Sequence, residues 1–149
     1  MRIAAIILFA CASIACPAKA ASVGDVFHAF GLFGAWAGDC AAQASPANPH
    51  VSISEPATGL VLETHDLGEP YAKNRYTVLT ATKVSPTELS VEVIFQSGFG
   101  PQERQKLVFR VRGDTRRTMF NQPEGGPVRV RGGIALARGV KTPVLHKCK

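Results

Sequence analysis

Residues 107–131 read LVFRVRGDTRRTMFNQPEGGPVRVR, and this stretch decides the fold. Apolar and polar side chains alternate along it, which is typical of strands that bury one face. Gly113-Asp114 fits a two-residue hairpin turn, and residues 122–126 fit a longer loop. The stretch therefore predicts three antiparallel strands joined by two hairpins.

The two turns also predict which residues face each other. The expected pairs are Arg112–Thr115, Arg110–Arg117 and Val108–Met119 across the first turn, and Met119–Arg129 and Arg117–Arg131 across the second. One face then carries the core residues Leu107, Phe109, Val111, Thr118, Phe120, Val128 and Val130. The opposite face carries Val108, Arg110, Arg112, Arg117, Met119, Arg129 and Arg131. A slip of one residue would turn the arginines into the core, so the register is strongly specified.

Further alternating runs lie outside this stretch, each bounded by turn residues. They include residues 51–54, 60–63 and 89–96, with further strands expected at 34–37, 71–82 and 144–148. The total is about eight short strands, and Ser22 caps a short amphipathic helix over residues 22–32. Residues 21–149 are thus predicted to form one all-β domain, a small antiparallel barrel preceded by a helix.

The first twenty residues resemble a secretory signal. Arg2 precedes an apolar run over residues 3–15, and Ala18-Lys19-Ala20 fits the cleavage site, so cleavage is expected between Ala20 and Ala21. Export is therefore predicted, to the periplasm if the source is a Gram-negative bacterium. Lipidation at Cys11 or Cys16 is the alternative, which would anchor the chain to a membrane.

Of the chain's four cysteines, only Cys40 and Cys148 would remain after cleavage behind Ala20. An even cysteine count in an exported protein indicates pairing, and two cysteines allow a single connectivity. A disulfide that joins the first strand to the last favours a closed barrel over a sandwich.

Gly34-Ala35-Trp36 follows the predicted helix and resembles the start of lipocalin-like barrels, including small periplasmic inhibitors of bacterial proteases. The resemblance implies that Trp36 lies on the first strand, at the closed end of a barrel. The family's Thr-Asp-Tyr triplet is absent, and Arg138 is a candidate for the late arginine that packs over the family's Trp.

No motif for catalysis, metal binding or a cofactor occurs in the sequence. The nucleophile elbow, the zinc-protease helix, the phosphate-binding loop and Cys-x-x-Cys are all absent. His50, His65 and Asp66 could meet across neighbouring strands around a metal, but exposed strand ends are the simpler reading. The sequence therefore predicts a noncatalytic protein with no metal and no cofactor.

The face that carries Arg110, Arg112, Arg117, Arg129 and Arg131, here called the arginine face, indicates that the protein recognises an anion. Residues 101–149 contain twelve Lys and Arg against three Asp and Glu, while residues 21–100 contain three against eight. Because the guanidinium fork matches phosphate and carboxylate, the expected partners are an anionic lipid, an acidic polysaccharide or an acidic protein surface. The candidate side chains are Arg110, Arg112, Arg117, Arg129 and Arg131. Nucleic acid is disfavoured, since this face lacks an aromatic stripe.

Two functions follow from these features. The first is an envelope protein that binds an apolar or amphiphilic ligand inside the barrel, or an anionic partner through the arginines. The alternative is an inhibitor or chaperone-like partner of another exported protein, which would insert residues 21–32 into a cleft.

Overall fold

The computed structural model describes residues 20–149. Its elements are α1 (Val23–Ala29), β1 (Gly34–Ala37), β2 (His50–Ala57), β3 (Leu60–Asp66), β4 (Asn74–Ser85), β5 (Glu88–Ser97), β6 (Gln102–Arg112), β7 (Thr115–Pro123), β8 (Val130–Arg131), β9 (Ile134–Ala135), β10 (Val140–Lys141) and β11 (Val144–Lys147). The predicted signal segment and its Cys11 and Cys16 lie outside the described residues. No helix within residues 20–149 is long and apolar enough to cross a membrane.

Eight antiparallel strands within this part of the chain close into a barrel. Strands β1 to β6 follow one another around the wall, β7 pairs with β6, and β11 fills the place between β7 and β1. Strands β8, β9 and β10 extend from β7 as a small flap outside the ring. The predicted all-β barrel with a short leading helix is confirmed.

The β6–β7 hairpin turns at Gly113, whose φ of 55° suits glycine. Arg112 faces Thr115 and Arg110 faces Arg117, as the turn predicts. A bulge then intervenes between Val108 and Phe109, so that Val108 faces Phe120 and not Met119. The Val108–Met119 pair was therefore a wrong prediction, because the extra β7 residue shifts every later pair.

The bulge also changes which β7 side chains face inwards. Phe120, predicted in the core, lies beside Val108 and Met119 in a groove on the outer surface. The next residue, Asn121, takes the inward position and lines the barrel interior. Strand β8 follows the shifted register, because Arg131 faces Phe120 and Val130 faces Asn121. The predicted Arg117–Arg131 and Met119–Arg129 pairs are thus wrong.

Helix α1 packs against β3 and β4 and closes one end of the barrel. Ser22 caps it, with Asp25 completing the capping box. Phe27, Leu32 and Trp36 are fully buried there, and the Trp36 indole nitrogen donates to the Leu32 carbonyl at 2.8 Å. The cation over the Trp36 ring is Lys147, 5.5 Å from its centre, whereas Arg138 is exposed.

Cys40 and Cys148 form the predicted disulfide. It joins the chain just after β1 to the chain just after β11, two strands that pair directly. The bond closes a loop with a sequence separation of 108 residues, which contains nearly the whole barrel wall.

Candidate functional site

The barrel encloses a cavity of about 220 Å³ at the end away from α1. Gly24 of the helix lies against Glu55, near the end of β2, while the cavity is bounded by Pro49, which precedes β2. The apolar side chains of the core fill the helix end. The space therefore remains where the barrel has no helix to close it.

The lining of the cavity combines apolar and polar side chains. The apolar part comprises Pro49, Val51, Leu107, Phe109, Val130, Pro143 and Leu145. The polar part comprises Glu63, His65, Tyr76, Arg116, Arg117, Thr118, Asn121 and Thr142. Although about half of these residues are polar, most of the surface that they expose to the cavity is apolar, and an apolar surface with placed polar groups is typical of small-molecule sites.

Glu63 and Arg116 form a buried ion pair across the interior. Both guanidinium ends donate to the carboxylate, at 3.0 Å and 2.9 Å, and the two side chains are 5 % and 3 % exposed. His65 Nε2 lies 2.5 Å from the same carboxylate. Arg116 also lies over the Phe109 ring, 4.4 Å from its centre. The guanidinium is thus bound by the Glu63 carboxylate and also contacts the face of the Phe109 ring.

The ion pair fixes the charge state of Glu63. Burial by itself raises the pKa of this carboxyl, but the Arg116 charge and the hydrogen bond with His65 outweigh it and lower the pKa to about 2. Glu63 is therefore ionised at neutral pH. A general base works best with a pKa near the working pH, so Glu63 is poorly suited to that role.

A second hydrogen-bonded network approaches the cavity from β6. Arg129 pairs with Glu103 through two bonds of 2.8 and 2.9 Å, and Gln105 donates to Glu103 at 2.8 Å. Asn121 in turn donates its amide to Gln105 Oε1 at 2.8 Å. The network ends at Asn121 Oδ1, which is buried and accepts no hydrogen bond from the described residues.

Tyr76 lies between two other rings on the cavity wall. Its ring centre is 4.7 Å from that of His65 and 4.8 Å from that of Phe95. Burial and the nearby Glu63 charge raise the pKa of its hydroxyl. The group therefore stays protonated and can donate or accept a hydrogen bond.

The predicted arginine face is largely occupied by contacts within the chain. Arg110 binds Glu88 through bonds of 2.8 and 3.1 Å, and Arg129 binds Glu103. Arg117 donates to Thr142 Oγ1 and, at 2.6 Å, to the Gly133 carbonyl. Within residues 20–149, Arg117 has no carboxylate partner, and the side chains of the exposed Arg112 and Arg131 have neither a hydrogen bond nor an ion pair.

Two ion pairs link β5 to β6, because Glu88 binds Arg110 and Glu92 binds Arg104. Strand β6 thus has acidic neighbours on β5 that offset its positive charge. The like-charged pair Arg110–Arg117 is present, and each member has its own partner on another strand or loop.

The histidines do not assemble a metal site among the described residues. His65 faces Val51 on the neighbouring strand, whereas His50 faces Asp66, so the two imidazoles project to opposite sides of the sheet. His50 Nε2 instead lies 2.9 Å from the Ala42 carbonyl. The metal arrangement considered from the sequence is not formed.

The sequence pointed to Arg117 as an anion-binding candidate and to His65 as a possible metal ligand, but it did not predict Glu63, Arg116 or Asn121 as part of a site. Arg116 faces Val111, an inward residue, and so belongs to the core face by alternation alone. Its partner Glu63 was harder to predict, because the apolar Leu60 and Leu62 suggest that their own face of β3 points to the core. In the structure Val61 and Glu63 take the inward positions, and Leu60 is exposed. An arginine at an inward position was the available signal, since a buried charge requires a buried partner.

No protein-family model, curated protein or solved structure matches this chain.

Proposed function

We propose that this protein is an exported, noncatalytic binding protein that holds a small amphiphilic ligand inside its barrel. The observation that carries the proposal is the cavity of about 220 Å³, whose surface is mostly apolar and also carries polar groups. A dry cavity of about 150 Å³ accommodates benzene, so the space suits a ligand somewhat larger than one aromatic ring. The ligand's apolar part would contact Leu107, Phe109 and Leu145.

Export is part of this proposal. The apolar run over residues 3–15 and the Ala20 site support it, as does the Cys40–Cys148 bond, because disulfides persist in oxidising compartments. A lipocalin-like relationship is supported by Trp36 on the first strand of the barrel. The burial of Trp36 at the helix end and the Lys147 cation over its ring agree with that relationship.

The predicted anionic partner now depends chiefly on Arg112 and Arg131. The other three candidates already bind carboxylates, a hydroxyl or a carbonyl of this chain. An anionic lipid, an acidic polysaccharide or an acidic protein would have to compete for them. We therefore favour the interior cavity as the main site of binding.

The alternative function, insertion of residues 21–32 into a partner, stays a prediction. Phe27 and Leu32, the side chains that would enter a cleft, are buried in this chain's own core. Insertion would require α1 to leave the barrel and expose that core. The arrangement supports a closing role for the helix.

Two measurements test the proposed function. Native mass spectrometry of the protein purified from its own envelope is expected to show a bound small molecule. In parallel, NMR titration with 1-octanol is expected to shift signals of the cavity residues. Val130→Phe, which fills the cavity, should weaken octanol binding by about tenfold or more.

Val140→Phe is the matched control, because Val140 is exposed on the flap and does not line the cavity. It should leave octanol binding unchanged. The proposal is wrong if octanol does not bind to the wild-type protein, or if both variants bind it equally well. Thermal unfolding of both variants establishes that each is folded.

A further inference from the structure

We infer that the cavity selects an uncharged ligand that carries a hydrogen-bond donor, an alcohol or an N–H group on an apolar body, and that Asn121 recognises this donor. The inference rests on the proposed function and adds the chemical class of the ligand. It depends on the charge balance of the interior and on the buried carbonyl of Asn121.

The charged groups that line the cavity already have partners within the chain, since Glu63 and Arg116 bind each other and Arg117 donates to the Thr142 hydroxyl and the Gly133 carbonyl. Arg116 gives both of its guanidinium ends to Glu63, and His65 contacts the same carboxylate. An anionic ligand would have to displace Glu63 from Arg116 and leave that carboxylate buried without its partner. A cationic ligand would be repelled by Arg116. The balance favours a neutral ligand.

Asn121 supplies the acceptor for such a ligand. Its amide nitrogen is engaged by Gln105, which is itself bonded to Glu103, so the orientation of the side chain is fixed. Its Oδ1 is buried and has no hydrogen bond within residues 20–149. Leaving a buried acceptor unpaired costs free energy, which a donor bound in the cavity would recover.

Tyr76 completes the polar part of the site. It lines the same cavity, and its hydroxyl makes no hydrogen bond within the described part of the chain. A ligand hydroxyl both donates and accepts, so it can satisfy either group. The apolar part of the same cavity includes Val51, Leu107 and Leu145.

The test uses two isomers that differ in the donor. 1-Octanol has a hydroxyl donor, whereas 1-methoxyheptane has the same composition and can only accept. Octanoate adds a negative charge to a chain of the same length. Isothermal titration of the disulfide-bonded protein is expected to show octanol binding about tenfold more tightly than the ether and more tightly than octanoate.

Asn121→Leu should remove the preference without removing the apolar site. In this variant the affinities for alcohol and ether are expected to agree to within about twofold. Thr80→Val, on the exposed side of β4, is the control and should keep the wild-type preference. Asn121→Ala, which removes the same carbonyl with a smaller side chain, is a second variant that should also remove the preference if Asn121→Leu does not fold.

The outcomes separate the two proposals. Ether bound as tightly as alcohol by the wild-type protein overturns the donor preference but leaves ligand binding in place. Octanoate bound most tightly shows that Arg116 or Arg117 of the lining takes an anion, which also overturns it. Binding of none of the three compounds overturns the proposed function, and the inference with it.

Discussion

At the residue scale, the Glu63–Arg116 pair is the least expected feature of the barrel. Burying two charges costs solvation free energy, and hydrophobic replacements of both partners are often as stable. Its geometry nevertheless satisfies both charges, with two hydrogen bonds, an aromatic face and a histidine. The pair adds little net stability, but it excludes any arrangement in which one partner faces the interior alone.

Arg116→Leu is expected to lower the free energy of unfolding by about 3–5 kcal/mol, because it leaves Glu63 buried and uncompensated. The measurement is unfolding in guanidinium chloride. Replacing both partners by leucine should recover most of the loss, since no uncompensated charge remains.

Arg110→Leu provides the control for this prediction. Its pair with Glu88 is partly exposed, at 38 % and 26 %, so its loss should cost less than about 1 kcal/mol. Equal losses of unfolding free energy for Arg116→Leu and Arg110→Leu would contradict the prediction that a buried ion pair costs more to break than an exposed one.

The pH dependence of the free energy of unfolding should also show how much the ionised Glu63 contributes to stability. Arg116 and His65 overcome the effect of burial and lower its pKa from 4.5 to about 2 in the folded protein. The unfolded chain therefore binds the proton first as the pH falls. The stabilisation that the ionised Glu63 provides is complete above about pH 4.5 and is lost as the pH falls through about 2.

The comparison is between the wild type and the double leucine variant, each unfolded by urea across this pH range. The wild type should lose more stability on acidification. Asp66 and Glu103, whose pKa values are lowered by hydrogen bonds from Lys73 and Arg129, are present in both proteins and cancel. Parallel curves would show that Glu63 does not contribute.

At the element scale, the bulge in β7 and the helix α1 have the largest consequences for the site. The bulge exchanges Phe120 for Asn121 at an inward position and so places an amide beside the cavity. The helix fills the other end of the barrel with Phe27. The bulge adds Asn121 to the polar lining, and the helix confines the open space to the opposite end.

Phe27→Ala is expected to destabilise the protein by about 3–5 kcal/mol, because the ring is completely buried against the barrel. Phe99→Ala is the matched control: its ring is fully exposed at a loop tip, and the cost should be within about 0.5 kcal/mol. Thermal or denaturant unfolding of both variants makes the comparison. A small effect at Phe27 would favour a detachable helix and the inhibitor function.

At the scale of the whole molecule, closure of the barrel depends on β11. This last strand pairs with β7 on one side and with β1 on the other, so the first and last strands of the barrel meet within the wall. The disulfide fixes that meeting point, because Cys40 and Cys148 adjoin β1 and β11. The barrel therefore cannot close before almost the entire chain is in place.

Replacing Cys40 and Cys148 together by serine is expected to reduce the free energy of unfolding by about 2–5 kcal/mol, since the bond restricts a long loop in the unfolded chain. Guanidinium unfolding of the oxidised protein and the double variant measures it. A thiol assay under denaturing conditions confirms that the pair is oxidised in the wild type. Identical stabilities would show that strand pairing alone holds the ends.

The sequence by itself determined the class of fold, the β6–β7 turn and the disulfide. Each is a local or a forced property: alternation sets the buried face, Gly113 sets the turn, and removal of the predicted signal leaves two cysteines. The inward residues Leu107, Phe109 and Val111 followed from the same alternation. These features needed no knowledge of distant contacts.

Only the tertiary structure decided the site. The bulge that turns Asn121 inwards arises from pairing between strands, and nothing in the local sequence marks it. Glu63 and Arg116 are 53 residues apart and meet only because the barrel closes. Contacts between strands and loops also decided the state of three of the five predicted arginines. Arg110 and Arg129 meet carboxylates and Arg117 meets a hydroxyl and a carbonyl, because polar groups that the fold leaves close together form hydrogen bonds wherever geometry permits.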